Sequence, residues 1–313
     1  MSLRNILTGR TVRAGLLALG TVVVGVYGLA AQLTQESGAD RLEIDDPPAP
    51  VGGAMINQAG QEGVTIRAVR VSEPFQIDGV LDEPFYQRVP SISEFVQAVP
   101  VEDGEPSELT ETWIAFDDNN VYVSAKIWDS EGPDGWVANE MRRDSQQLRA
   151  NDHFAVFFDT HYDRRNALAF SGTAIGGFSD FQITSEGNPN MDWNPVWETR
   201  SALFDGGWAI EMAIPFKSLR YRPGREQVWG VQMRRSVMRR NEWIFLRTLP
   251  LSVGAGGALG TFRVSMYGTL VGIEAPPQSR NLEVKPYGIA GFRTDLTADP
   301  QSATTATPTW AWT

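Results

Sequence analysis

The sequence predicts an all-β protein built on an antiparallel β-sandwich, and three observations lead to this class. From Val64 onward, apolar and polar residues alternate with a period of two, which is typical of strands with one face on a core. Turn signals rich in Gly, Asp and Asn separate these runs. The 30 glycines, 19 prolines and 10 tryptophans favour short strands and tight turns over a helical bundle.

The first 30 residues have the three parts of a secretory signal peptide. Arg4, Arg10 and Arg13 precede the apolar run Ala14–Ala30, whose small C-terminal residues predict cleavage before Ala31. The alternative is an uncleaved membrane anchor, although the run is short for a spanning helix and rich in glycine. Either reading predicts export. Residues 31–63 are polar, rich in Pro and Gly and without a sustained period, so we expect a flexible linker.

The sandwich itself is predicted over residues 64–275. The stretch His153–Thr160 is almost continuously apolar, as expected of a central strand buried on both faces. The other predicted strands are Thr112–Phe116, Val121–Trp128, Ala202–Phe204, Trp208–Phe216, Val228–Met233, Trp243–Leu246 and Phe262–Leu270. Helical turns are expected only near Ser145–Arg149 and Lys217–Leu219.

Residues 276–313 form a separate stretch after the Pro276–Pro277 break. Asn281–Arg293 alternates again, and the chain then becomes polar and irregular. A lone strand is marginal by itself. We therefore expect a linker and the first strand of a further β domain that continues beyond residue 313, which an outer-membrane barrel would fit.

Composition excludes several classes of function. The chain has no cysteine, which removes disulfides, thiolate metal sites and cysteine nucleophiles. It has two histidines, His153 and His161, so a three-histidine zinc site is impossible and we expect no haem. A net charge of −11 argues against nucleic acid as a partner. The cluster Arg234, Arg235, Arg239 and Arg240 is predicted to be a solvated face of a strand and turn.

Four motifs in register resemble the family 9 carbohydrate-binding modules. These are FQIDGVLDEPFYQ at Phe75–Gln87, FDDNNVYVSAKIWD at Phe116–Asp129, NDHFAVFFDT at Asn151–Thr160 and GGWAIEMAIPFKSL at Gly206–Leu219. The resemblance spans residues 64–273, about two thirds of the chain. It implies a jelly-roll-like sandwich, and the subgroup it matches carries a carboxy-terminal domain similar to an outer-membrane barrel.

The same resemblance implies that the family's known sugar site is not kept. Sugar-binding members sandwich a terminal sugar between two tryptophans, helped by a glutamate, an arginine and an asparagine. The aligned positions here fall near Arg149, at Ala155, near Ser171 and Thr173, and within Gly254–Gly260, which contains no aromatic residue.

Aromatic residues in loops are the alternative sugar platforms, because the apolar face of a sugar ring packs on an aromatic ring while its hydroxyls pair with polar groups. The predicted carbohydrate-binding residues are Trp136, Trp193, Trp197, Asn190 and Asp192. The competing interpretation is that these tryptophans cap the ends of the sandwich.

Calcium is the ion that the acids of this chain suit best, since it takes six to eight oxygen ligands and family members often carry structural calcium. The predicted ligands are Asp129, Asp144, Asp152, Asp159 and Asp163, which flank predicted strands. Ordinary strand-end and turn acids explain the same pattern.

The expected function is therefore glycan binding without catalysis in this segment. The partners would be a plant-type or microbial polysaccharide or oligosaccharide and the chain's own C-terminal membrane domain. The place would be the periplasm, outer membrane or surface of a Gram-negative-type bacterium, within a carbohydrate-degrading system. Two alternatives remain: a docking domain for the barrel with no sugar site, and a glycoside-hydrolase-associated activity. Hydrolysis needs two carboxylates beside the bond. Glu211 and Asp180 are candidates, but Glu211 on a strand is equally well explained as a buried partner for an arginine, and nothing in the sequence singles out a catalytic pair.

Overall fold

The computed structural model describes residues 42–51, 53–59, 63–247, 249–250, 252, 257–277, 287–293 and 305–311. The chain divides into two units, Met1–Asp45 and Asp46–Thr313. Residues 42–45 of the first unit have no regular secondary structure, and the predicted signal peptide lies outside the described residues. Where the chain is described, none of its helices has the length and apolar character needed to cross a bilayer.

The second unit is almost entirely β-structure. In chain order its strands are β1 Ile56–Ala59, β2 Gly63–Arg67, β3 Val69–Arg70, β4 Val96–Val99, β5 Thr110–Phe116, β6 Asn120–Trp128, β7 His153–Asp159, β8 Ala167–Thr173, β9 Phe178–Ile183, β10 Glu198–Phe204, β11 Gly207–Pro215, β12 Glu226–Val237, β13 Glu242–Phe245, β14 Gly268–Glu274, β15 Tyr287–Arg293 and β16 Thr305–Ala311. The short helix α1, Pro84–Arg88, lies between β3 and β4.

Two sheets pack face to face, which confirms the predicted β-sandwich. The larger sheet runs β1-β2-β14-β12-β7-β8-β9, with β13 joining β12 to β4, and the smaller runs β10-β11-β6-β5-β3. Pairing is antiparallel except between β2 and β14 and between β3 and β5. The main core lies between the sheets, where Val121, Val123, Ala125 and Ile127 of β6 are each at most 1% exposed. The period-two pattern thus faces the core as predicted.

Strand β7 is buried on both faces, as its apolar run predicted. Its even-numbered residues pack in the main core, whereas Ala155 and Phe157 pack in a second apolar cluster on the outer side of the sheet. Residues 257–267 supply part of that cluster through Val264 and Tyr267. The predicted strand Phe262–Leu270 is therefore wrong at its start, because these apolar residues form 3₁₀ turns that cover the sheet and β14 begins at Gly268.

Several elements had not been expected. Strands β8 and β9 were not predicted from the sequence. Strand β8 is buried on both faces and therefore shows no alternation of apolar and polar residues. Helix α1 was missed as well, whereas 3₁₀ turns at Gln146–Ala150 and Phe216–Ser218 confirm the two predicted helical turns. The predicted linker is wrong over its second half, because β1 pairs with β2 and the buried Asp46 forms ion pairs with Arg164 and Arg247.

The two sheets approach closely where Gly172 of β8 faces Ile210 of β11. Gly172 of β8 lies on the inner face of the larger sheet, opposite Phe154 of β7. A Cβ atom at Gly172 would collide with the Cδ1 atom of Ile210 in the smaller sheet. The absence of a side chain at Gly172 therefore admits the isoleucine into the core.

The arginine cluster is not the solvated face that was predicted. Arg234 and Arg235 are 4% and 2% exposed. The guanidinium of Arg235 crosses from β12 to the smaller sheet, where it donates to the carbonyls of Leu109 (2.9 Å) and Trp128 (2.6 Å). Arg239 continues this link with ion pairs to Asp129 (2.6 Å) and Glu108 (2.7 Å), whereas Arg240 is half-exposed. Strand periodicity could not show that both faces of β12 are covered.

The C-terminal part of the chain forms a hairpin. Strand β15 pairs antiparallel with β16, from Tyr287↔Ala311 to Arg293↔Thr305. The strand predicted within Asn281–Arg293 is present over Tyr287–Arg293, and residues 305–311, which were expected to be irregular, supply a second strand that pairs with it through backbone hydrogen bonds.

Candidate functional site

A groove of about 1,780 Å³ lies at one end of the sandwich. Its walls come from the β5–β6 turn, the turn after β7, the connection between β9 and β10, and the 3₁₀ turn that follows β11. Because antiparallel strands bring these turns to the same end, residues far apart in sequence share one concave surface. Its volume far exceeds the roughly 30 Å³ of a second hollow on the outer face of the larger sheet.

Trp193 is the tryptophan of this groove. Its side chain is partly buried, and its ring meets that of Phe170 edge-on, with the centroids 5.7 Å apart. Two backbone hydrogen bonds between Asn190 and Gln182 anchor the loop to β9. The Oδ1 atom of Asn190 then accepts from the backbone N–H of Asp192 at 3.1 Å. The predicted residues Asn190, Asp192 and Trp193 are thus brought together, with Asn190 shaping the loop that presents the other two.

Polar side chains flank Trp193 along the groove. Asp192, Asn194 and Gln182 line it, and in the described part of the chain their side chains take part in no hydrogen bond. Asp163 and Asn166 also line it but bind each other, because the Asp163 carboxylate accepts from the Asn166 side chain at 2.6 Å. An aromatic ring beside amide and carboxylate groups can hold a polyhydroxylated ligand by stacking and hydrogen bonding. Sequence reasoning missed Gln182, because β9 had not been recognised.

The other two predicted tryptophans do not join the groove. Trp197 is 8% exposed, packs against Phe170 and Phe178, and donates its indole N–H to Asp180 at 2.9 Å. A ring buried in this way offers no face for stacking, so the binding role predicted for Trp197 is wrong. Trp136 is partly buried against the main core and lies outside the groove lining. For these two residues the capping interpretation describes the structure better.

The five aspartates predicted as calcium ligands do not converge. Asp152 precedes β7 and Asp159 ends it, so a seven-residue strand separates them by about 20 Å. Their carboxylates accept backbone N–H groups instead, Asp152 from Val137 and Met238 and Asp159 from the turn after it. Among the described residues no group of three or more acidic or histidine side chains could hold a metal ion. The donors therefore do not fit one shared calcium site.

The remaining three acids are also engaged within the protein. Asp129 pairs with Arg239, and Asp144 accepts from the backbone of Asp180 and pairs with Arg143. Asp163 accepts from the backbone of the turn that it begins. Each carboxylate thus stabilises a local turn or a contact between strands.

Glu211 and Asp180, the two carboxylates considered for hydrolysis, are both fully buried. The Glu211 carboxylate accepts from the backbone N–H groups of Asp78 (3.1 Å) and Gly79 (3.0 Å) and from the Tyr86 hydroxyl (2.9 Å). Burial raises the pKa of Glu211 to about 7. Asp180 pairs with Arg143 at 2.7 Å, and burial raises its pKa as well. Neither carboxylate lines the groove, so the two do not form a catalytic pair around a substrate there.

A second, small hollow lies on the outer face of the larger sheet, beside the apolar cluster of Ala155 and Phe157. Its volume is about 30 Å³, and Ser171, Arg149 and Arg234 are among its lining residues. Its apolar lining includes Phe181, Met191 and Phe262. The space is too small for a sugar ring.

Several solved protein structures are similar to the structure of this chain. The chain is similar to a candidate carbohydrate-binding protein from Bacteroides uniformis ATCC 8492, with a TM-score of 0.50 and 11% identity over 66% of this chain and 98% of that one. It is also similar to a family 9 carbohydrate-binding module from Caldicellulosiruptor kristjanssonii in complex with glucose, with a TM-score of 0.43 and 18% identity over 70% of this chain and 98% of that one.

The same module in complex with cellotriose gives a TM-score of 0.41 and 18% identity over 71% of this chain and 98% of that one. No protein-family model and no curated protein matches the chain. The shared feature is the fold. At this level the similarity to the Bacteroides protein confirms the β-sandwich that the sequence predicted.

Proposed function

We propose that this chain is an exported, non-catalytic carbohydrate-binding domain whose groove binds an oligosaccharide or a stretch of polysaccharide. The observation that carries the proposal is Trp193, positioned in an open groove beside the side chains of Asp192 and Asn194. Export rests on the sequence of residues 1–30. The carbohydrate class is supported by the sandwich fold shared with a candidate carbohydrate-binding protein.

The size of the groove favours a chain of sugars over a single one. Its volume of about 1,780 Å³ exceeds the roughly 300–1,000 Å³ of pockets that enclose drug-sized ligands. Its rim carries residues of both signs, including Asp118, Asp192, Lys217 and Arg220, so it suits a neutral ligand better than a strongly charged one. The buried positions of Glu211 and Asp180 support binding over hydrolysis.

Calorimetric titration of the 313-residue chain with cellotriose, xylotriose and glucose tests the proposal. We expect Trp193→Ala to weaken trisaccharide binding at least tenfold, because a stacked ring contributes about 0.5–1.5 kcal/mol beyond the area it buries. Asn194→Ala should weaken binding severalfold. Asn188→Ala is the matched control, since Asn188 is exposed in the same connection but does not line the groove.

Thermal unfolding of each variant separates loss of binding from loss of fold. A folded Trp193→Ala chain that binds trisaccharide as tightly as the wild type would place the site elsewhere. A folded wild-type chain that gives no heat with any of these sugars would reject the proposal and favour the docking alternative. We expect EDTA to leave the affinity unchanged, because the predicted calcium ligands do not share a site.

A further inference from the structure

We propose that the small hollow on the outer face of the larger sheet is a binding site for a single carboxylate group. It lies over the middle of β7, β8 and β9, on the opposite side of the sheet from the main core. The site is separate from the groove, and no residue lines both.

The hollow exists because small residues follow one another across the sheet. Arg234 of β12 lies opposite Ala155 of β7, which lies opposite Ser171 of β8, which lies opposite Ser179 of β9. Directly opposed residues project from the same face. Two small serines next to an alanine leave a gap of about 30 Å³, enough for about two water-sized atoms. The two oxygen atoms of a carboxylate occupy a space of this size.

Two serine hydroxyls in the hollow take part in no hydrogen bond among the described residues. Ser171 and Ser179 are each 8% exposed, and both line the hollow. Neither oxygen is among the fully enclosed polar atoms that lack a partner, so both remain accessible to a ligand in the hollow. A ligand with two acceptor oxygens would satisfy both donors at once.

The electrostatic surroundings of the hollow favour an anion. Arg149 and Arg234 line it, and no carboxylate does among the residues that the structure describes. This is unusual for a chain whose net charge is −11, because most of its surface repels anions. Arg234 is 4% exposed, so the low polarity around it strengthens its interaction with a neighbouring charge.

His153 holds the Arg234 side chain in place. The Arg234 Nη2 atom donates to His153 Nε2 at 2.8 Å, so the other ring nitrogen, Nδ1, carries the proton and donates to the Asn151 carbonyl at 2.8 Å. Burial and the charge of Arg234 lower the pKa of His153 to about 3, which keeps the ring neutral and able to accept. Thr261 accepts from Nη1 at 3.0 Å, and the rings of Phe157 and Trp243 lie against the guanidinium. The cation is therefore preorganised.

The rest of the ligand would lie at the mouth, beside exposed residues such as Arg149 and Leu259. A carboxylate that enters with its substituent pointing outward can come from a free organic acid or from a uronic acid in an acidic glycan. Both sources share the chemistry that the hollow recognises. Their relative affinities distinguish them.

The test is titration of the 313-residue chain with sodium acetate, sodium D-glucuronate and D-glucose at constant ionic strength, followed by calorimetry or by NMR shifts of Ser171 and Ser179. We expect both carboxylates to bind and glucose to leave these signals unmoved. The Ser171→Ala, Ser179→Ala double variant keeps the space but removes the donors, and should weaken carboxylate binding at least tenfold.

Arg149→Gln should weaken carboxylate binding severalfold, and Arg165→Gln is its matched control because Arg165 is exposed and lies outside the hollow. Trp193→Ala should leave carboxylate binding intact, so this proposal can fail or succeed independently of the groove. Tighter glucuronate than acetate binding would support an acidic glycan, and equal binding a free acid. No carboxylate binding, or binding unaffected by the serine substitutions, would overturn the proposal.

Discussion

Glu211 explains at the residue level why the chain contains the Ile77–Asp78–Gly79 turn. The buried carboxylate accepts both N–H groups that this turn presents, and so anchors the turn to β11. Gly79 has a φ of +87°, and a Cβ there would lie 2.7 Å from backbone atoms of Ser201 and Ala202. Glycine alone fits this close approach without strain. This turn belongs to one of the four motifs that carry the family resemblance. Its role is to stabilise the fold, and it lies outside both candidate binding sites.

The raised pKa of Glu211 predicts a pH-dependent stability. The folded state holds the proton up to about pH 7, whereas the unfolded chain releases it near the ordinary glutamate pKa of 4.5. The stabilisation that this group contributes is therefore complete below about pH 4.5 and is lost as the pH rises to about 7.

Glu211→Gln removes this ionisation and keeps an acceptor for the turn. Relative to the wild type, its free energy of unfolding should be higher at pH 8 than at pH 5 by about 2–3 kcal/mol. Urea unfolding at the two values measures this, with Glu198→Gln, an exposed glutamate on the neighbouring strand, as the control for a lost charge. A difference that does not vary with pH would contradict the assignment.

At the scale of elements, strand β12 is the main polar link between the sheets. Arg235 donates across the sandwich to carbonyl groups at the start of β5 and the end of β6. Its removal would take one donor from each carbonyl, of which Leu109 keeps the Trp128 N–H at 3.1 Å, and would break the buried ion pair with Asp129 at 3.6 Å. The neighbouring Arg240 lies 3.9 Å from Glu108 at the half-exposed edge of the same cluster.

We therefore expect Arg235→Gln to lower the free energy of unfolding by about 3–5 kcal/mol, because it breaks the buried ion pair between Arg235 and Asp129. Arg240→Gln should lower it by at most about 1 kcal/mol, as is usual for exposed pairs. Chemical denaturation of the two variants measures the contrast. Equal effects would mean that burial of Arg235 is not what stabilises the contact between the sheets.

At the scale of the whole molecule, the sandwich includes residues that the sequence assigned to a linker. Asp46 is buried between Arg164 and Arg247, and β1 adds an edge strand next to β2. We expect a fragment of residues 46–277 to melt at a higher temperature than one of residues 64–275, because the shorter fragment leaves both arginines without this carboxylate. Calorimetric melting compares them. Equal melting temperatures would show that residues 46–63 contribute nothing.

The sequence predicted the elements whose pattern is local and missed those whose pattern depends on packing. Strands β6 and β7 were predicted because one alternates and the other is wholly apolar. Strand β8 was missed because its small residues, such as Ser171 and Gly172, suit a crowded sheet without any period.

In the candidate sites, too, local features could be predicted from the sequence and features that depend on packing could not. The loop around Asp192 and Trp193 could be predicted from its composition, but the burial of Trp197 depends on Asp180 of a strand that was not recognised. The row Arg234–Ala155–Ser171–Ser179 joins four strands. It has no signature along the chain, because only the register of the sheet brings these residues together.

The contact between Gly172 and Ile210 has a consequence for variation among relatives of this chain. Between packed sheets, a side chain from each sheet usually fills such a space. Here the Ile210 side chain fills it alone, because Gly172 has none. A larger residue at position 172 is therefore compatible with the fold only when position 210 becomes smaller. The two positions should change together, and their correlated substitution would mark chains that keep this spacing of the sheets.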